Sequence, residues 1–174
     1  MSETRPGTPT DPELVWAEET RVGRYQVAVH AAGVRLLADQ PVAAGGLGSG
    51  PTPHELMSAA LATCTIMTLR MYADRKGWAL DRIEVRVGHT RGSVHDRDAF
   101  DRVIALRGAL DEPAMARLME IADRCPVHVL LERGADIHTR AEPLDLPASR
   151  DLFEGLHKRH MEEVLNDPAT LDGV

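Results

Sequence analysis

Aromatic residues are nearly missing from this 174-residue chain: two Trp, two Tyr and two Phe make up 3% of it. Cysteine is just as sparse. Cys64 and Cys125 stand sixty-one positions apart, and two are too few to knit a disulfide-rich secreted scaffold. Positive charge is in deficit: 20 Lys and Arg against 27 Asp and Glu leave a net charge of −7. No general electrostatic footprint attracts phosphate backbones, so nucleic acid is not an expected partner. Long hydrophobic runs are missing too. The longest charge-free stretch in a helical pattern, Leu56 to Leu69, has fourteen residues where a bilayer needs about twenty. It reads as a buried core helix, and no membrane partner is expected. Residues 1–12 are polar and rich in Pro and Thr, without the apolar core of a secretory signal, and read as a flexible leader on a cytoplasmic protein. What remains is an ordinary globular profile, 43% hydrophobic and 27% charged, long enough for one domain with a real core.

The order of elements follows from periodicity. Leu14 to Glu18, Tyr25 to His30 and Val34 to Ala38 are short apolar or alternating runs, and the breaks at Gly23 and at Ala31-Ala32-Gly33 suit antiparallel hairpins. Gln40 to Pro53, rich in Gly, Pro, Ser and Ala, is a loop. Its Gly45-Gly46-Leu47-Gly48 precedes a helix without closely following a strand, which makes it a weak nucleotide signal. A helix then starts with Thr52 as N-cap, Pro53 in the first position and Glu55 completing a Thr-x-x-Glu capping box. Its apolar and small residues run round every face as far as Met71, which predicts burial on every face. Gly77 offers the stop. Ile83 to Arg91 and Phe100 to Leu110 alternate as strands. Asp111 caps an amphipathic helix through Met115, Leu118, Met119 and Ile121 that ends at Cys125-Pro126. Val127 to Leu131 is a short segment before a last strand near Ile137 to Ala141, and residues 147–174 form a charged helical extension. Strands grouped around two helices indicate an α+β fold. A helix apolar all round needs cover that one chain does not supply, so an intimate homodimer is expected.

The two sulfurs differ in their surroundings. Cys64 lies in the apolar helix with no local positive charge, where a free cysteine commonly just packs. Cys125 sits at a helix end, after Arg124 and with His128 three residues on, and a nearby cation favours the reactive thiolate. Packing and function stand side by side for both. A zinc site is a further alternative, with Cys125 and His128 joined by scattered ligands such as Cys64 and His54.

Gly50-Pro51-Thr52-Pro53-His54-Glu55-Leu56, running into Ala59-Ala60-Leu61-Ala62-Thr63-Cys64-Thr65 and on from Met67 to Trp78, resembles the central helix of the OsmC/Ohr family, named for osmotic induction and organic hydroperoxide resistance. Ile121-Ala122-Asp123-Arg124-Cys125-Pro126-Val127-His128 is similar to its second cysteine motif. The resemblance covers about Leu14 to Ala141, within a domain spanning residues 13–146. It implies an OsmC-like fold, with antiparallel sheets wrapped around two long central helices in an intertwined homodimer. It further implies a thiol peroxidase. Cys64 attacks an organic hydroperoxide or hydrogen peroxide and becomes a sulfenic acid, Cys125 resolves it as a disulfide, and an external dithiol such as a dihydrolipoyl group reduces the pair. No bound cofactor or metal is implied. Members of the hydroperoxide reductase branch hold the thiolate with an arginine from the N-terminal strands. Arg24 is the choice here among Arg21, Arg24 and Arg35, beside the plainer reading of a solvated hairpin charge. A glutamate ten residues before the first cysteine orients that arginine in the family. His54 stands at that offset here, and Glu55 lies at nine, about 900° round an ideal helix and so opposite Cys64. Glu55 is thus both the family's site glutamate by type and a capping-box partner by position.

Two other functions compete with the peroxidase. One is a redox-inert protein that binds a small apolar ligand; the other is a thiol redox sensor signalling through a partner. Met57, Met67, Met71, Met115 and Met119 would give a deformable lining suited to alkyl peroxides, or they fill the core.

Overall fold

The computed structural model describes residues 15–93, 95–139 and 141; the leader and the C-terminal extension lie outside them. Residues 15–52, 136–139 and 141 belong to one compact unit and 53–135 to a second.

In the first unit, β1 (Trp16–Glu19), β2 (Val27–Ala31) and β3 (Val34–Ala38) form an antiparallel sheet in sequence order. Ala31 faces Val34 across the β2–β3 turn, and the two turn residues, Ala32 and Gly33, both take positive φ, 49° and 77°. That conformation matches the right-handed twist of the strands it joins. The loop that follows is organised by a carboxylate. Asp39, only 2% exposed, accepts hydrogen bonds from the backbone N–H of Gln40 (2.8 Å), Leu47 (3.0 Å) and Ser49 (3.3 Å) and from the Ser49 hydroxyl (2.8 Å). Burial pushes its carboxyl up, and the bonds from Ser49, Gln40 and Leu47 together overcome this and hold it below the usual carboxylate range. The glycine-rich loop therefore cradles the chain's own anion. A Cβ on Gly46 would lie 2.0 Å from the Gln40 carbonyl oxygen, so no other residue fits there.

The second unit is built on α1 (Pro53–Lys76). A Schellman motif ends it: Gly77 at φ 67° donates to the Asp74 carbonyl, Trp78 donates to the Ala73 carbonyl, and the Trp78 ring packs edge-on against Tyr72 at 5.6 Å. β4 (Leu80–Thr90) and β5 (Ala99–Gly108) form an antiparallel hairpin, with Ile83 opposite Leu106, Val85 opposite Ile104 and Val87 opposite Arg102. The Asp111 side chain accepts from the Ala114 N–H at 2.8 Å and caps α2 (Glu112–Ala122). Leu69, Tyr72, Ala73, Leu80, Leu118, Ile121 and Ala122 make the core, with Ile83, Ile104 and Leu106 packed against it.

Two sequence expectations need correction. The segment after Cys125 is a third helix, α3 (Pro126–Arg133); its eight residues are too few to display a helical period. The strand expected near Ile137 to Ala141 is not formed by the described residues 137–139 and 141. A strand needs a partner backbone, none pairs there, and Ile137 is exposed. Within the single chain, α1 is not buried on every face. By length and composition it is the one described helix that could cross a membrane, yet it packs the stripe Leu61, Thr65, Leu69, Tyr72 and Ala73 into the core. Within the second unit β4, α2 and α3 pack against it, and Met57 and Met67 are exposed, as are Met115 and Met119 on α2. These four methionines do not fill the core.

Candidate functional site

The second unit brings its two cysteines together. Cys64, half-buried in the middle of α1, and Cys125, fully buried at the N-cap position of α3, are free thiols whose side chains share a hydrogen bond. One proton between two sulfurs makes their ionisation a property of the pair. The bond from Cys64 favours the anion on Cys125. Burial opposes that anion; the amide N–H of His128, the Thr65 hydroxyl and the Val127 N–H support it, and the thiol is held down to about 5. Cys64 moves the other way. Its bond to Cys125 and its burial push it up, only partly offset by the Val127 N–H and the Thr68 hydroxyl.

Local structure explains the asymmetry. Cys125 makes no bond of ordinary capping geometry, and Pro126 at the first position of α3 has no N–H to offer. The amides of Val127 and His128 are therefore the first free donors at the positive end of the helix, and they face the sulfur. His128 contributes its backbone rather than its ring, which lies 3.9 Å from Glu132.

A cation that sequence reading missed stands behind Thr65. Arg102 on β5 has a side chain only 11% exposed. Its Nη1 donates to Thr65 Oγ1 and to the Ala122 carbonyl, both at 3.0 Å, and its Nη2 donates to Asp123 Oδ1 at 2.8 Å. The signal was present in the strand: Arg102 is in phase with Phe100, Ile104 and Leu106 on the inward face, while Asp101, Val103 and Ala105 point out.

Arg24 and Glu55 belong to different units. Arg24 is exposed in the β1–β2 connection of the first unit, its guanidinium over the Tyr25 ring at 5.3 Å. Glu55 is exposed in the first turn of α1. Among the described residues one group has the donor types for a metal ion, His54, His89 and Asp98, and it contains neither sulfur. The His54 and His89 rings stack at 4.6 Å, and His89 Nε2 lies 2.7 Å from Asp98 Oδ1. Arg91 reaches both carboxylate oxygens of Asp98. Arg91 first and His89 second hold that carboxyl down to about 2, so its charge is already matched by a cation.

A family model described as "OsmC-like protein" matches residues 46–140. Among solved structures, a Psychrobacter arcticus protein named for osmotic stress induction and detoxification superposes with a TM-score of 0.59 at 18% identity, over 66% of this chain and 85% of that one. An OsmC-like protein from Mycoplasma pneumoniae gives 0.59 at 16% identity, over 71% and 89%. At these identities the likeness shows the fold. A search of curated protein sequences returned no match.

Proposed function

The chain belongs to the OsmC-like protein family, and from that premise we propose that it is a cysteine-based thiol peroxidase that reduces organic hydroperoxides or hydrogen peroxide. The observation that carries the proposal is the contact between the two motif cysteines, one half-buried and one buried, with no disulfide between them. Peroxide reaches Cys64 because that sulfur is the accessible one. Its sulfur attacks the peroxide O–O bond and becomes a sulfenic acid; Cys125, already at hydrogen-bonding range, displaces the hydroxyl and closes a disulfide. An external dithiol, such as a dihydrolipoyl group, then takes the oxidising equivalents and restores both thiols. No bound cofactor or metal enters this scheme.

The protein acts in this reading as a cytoplasmic homodimer. Free thiols suit a reducing compartment. The outward apolar face of α1, with Met57 42% and Met67 59% exposed, suits a second copy of the chain as its cover. Arg24 and Glu55, the family's supporting pair by type, belong to different units of the chain.

Intact-mass analysis after one equivalent of cumene hydroperoxide tests the proposal. The reduced protein is expected to lose two hydrogens, and neither Cys64→Ser nor Cys125→Ser is expected to do so. Undiminished peroxide turnover in Cys64→Ser would overturn it. An unchanged wild-type mass would favour a redox-inert protein that binds a small apolar ligand.

A further inference from the structure

We propose that Arg102 is a positioning residue for disulfide closure: its guanidinium ties the turn of α1 that carries Cys64 to the short connection that carries Cys125, and so holds the two sulfurs in range of each other. The proposal rests on the peroxidase reading for its chemistry and names the group that sets the resolving step.

The ties of Arg102 end beside both cysteines. Nη1 donates to Thr65 Oγ1, one residue after Cys64, and to the carbonyl of Ala122, three residues before Cys125, both at 3.0 Å; Nη2 donates to Asp123 Oδ1 at 2.8 Å. Neighbouring residues of an α-helix lie about 100° apart. Thr65 therefore turns into the core, where it is fully buried, while half-buried Cys64 on the same turn meets the Cys125 side chain. The Thr65 hydroxyl gives its own proton to the Leu61 carbonyl at 2.7 Å and accepts from Arg102. The guanidinium thus grips that turn of α1 from the core side.

The grip on Cys125 runs through its backbone. Only residues 123–125 separate α2 from α3. The Ala122 carbonyl that accepts from Arg102 also accepts from the Cys125 N–H at 3.3 Å, and the Cys125 carbonyl accepts from the Val129 N–H at 3.0 Å. Pro126 keeps the residue before it extended, and Cys125 has φ −56° and ψ 128°. With both backbone groups bonded and its dihedrals restricted, Cys125 moves with the end of α2. Burying a guanidinium is costly unless its donors find partners, and the Arg102 side chain is only 11% exposed. Letting either element slide would strand those donors, so the side chain resists separation of the two segments.

The tie decides a competition. The Cys64 thiol and one hydroperoxide give a sulfenic acid and an alcohol. The sulfenic acid then has two fates. In one, the Cys125 sulfur attacks it, the S–O bond breaks, an S–S bond forms, and the hydroxyl leaves as water with the Cys125 proton. In the other, a second hydroperoxide transfers an oxygen atom, giving a sulfinic acid and a second alcohol. The first fate needs the sulfurs to close to about 2.05 Å, and its rate falls steeply when the partners shift by about an ångström. The second needs only peroxide. Arg102 favours the first.

The test treats the full reduced chain with a graded excess of cumene hydroperoxide and reads the ratio of disulfide (loss of two hydrogens) to sulfinic acid (gain of two oxygens) by intact mass. The ratio is taken among oxidised molecules, so the rate of the first step does not enter it, and a loss of stability that leaves the chain folded does not move it. Thr65→Val and Arg102→Gln should each lower it about tenfold. Thr65→Ser should restore it, and Arg102→Lys should restore it in part. Because both losses remove one tie, the double variant should be no lower than Arg102→Gln alone. Should Arg102→Gln fail to fold, Asp123→Ala, at the exposed partner of the guanidinium, takes its place with a loss of about threefold expected. A wild-type ratio in Thr65→Val, or a double variant lowered by the product of the single effects, overturns the proposal, and disulfide formation by the wild type leaves the peroxidase reading intact. If the wild type forms no disulfide with peroxide, that reading falls and oxidised glutathione decides. The protein dithiol and one glutathione disulfide exchange to the protein disulfide and two glutathione thiols, and this equilibrium should be about tenfold less favourable in Thr65→Val and Arg102→Gln than in the wild type. Equal equilibria overturn the positioning role.

Discussion

The proton shared by Cys64 and Cys125 makes stability depend on pH in two directions. With Cys125 held at about 5 and Cys64 pushed above the ordinary thiol range, the folded chain keeps one proton on the pair from about pH 5 upward. The unfolded chain keeps two until about pH 8.5. Fewer protons in the folded state mean that stability rises between those limits; beyond them the unfolded chain has lost both, and the slope reverses. Urea midpoints of the reduced protein should climb from pH 5 to about 8.5 relative to those of Cys125→Ser, and then decline. A flat difference would mean that the pair does not hold its charge as described. At this scale much was legible. Both cysteines stand out by their motifs, and the expectation of a thiolate at Cys125 came from the cations beside it in sequence, Arg124 and His128. In the structure the Cys64 side chain first, then the His128 amide, the Thr65 hydroxyl and the Val127 amide, favour the anion.

Helix boundaries tested the capping rules. Asp111 caps α2 as its position suggested, and Gly77 closes α1 because a left-handed residue lets Trp78 donate back to the Ala73 carbonyl. Gly77→Ala has open space for its methyl group, so its effect isolates backbone conformation. It should destabilise the protein by about 1–2 kcal/mol in chemical denaturation. A loss well beyond that would mean that the Trp78–Tyr72 contact had collapsed as well. The glycine-rich loop shows the limit of motif reading at this level. Its amides do form an anion cradle, but Asp39, adjacent to the loop in sequence, occupies it. α3 was illegible because helix and strand cannot be told apart by periodicity over eight residues.

For the whole molecule, the exposed methionine face of α1 is the feature that one chain leaves incomplete. If a second copy covers it, Met67→Lys should shift the protein from dimer to monomer in sedimentation velocity, because the charge would be stranded in an apolar contact; a monomeric wild type would remove the argument. The amphipathic and all-round apolar patterns, the caps and the paired cysteine motifs depend on neighbours within a few residues, and from them the sequence by itself determined the α+β class and most strand and helix positions, and singled out the two cysteines. Tertiary structure decided that those two cysteines meet, one in the middle of α1 and the other ahead of α3, because side-chain contact follows distance in space rather than separation along the chain.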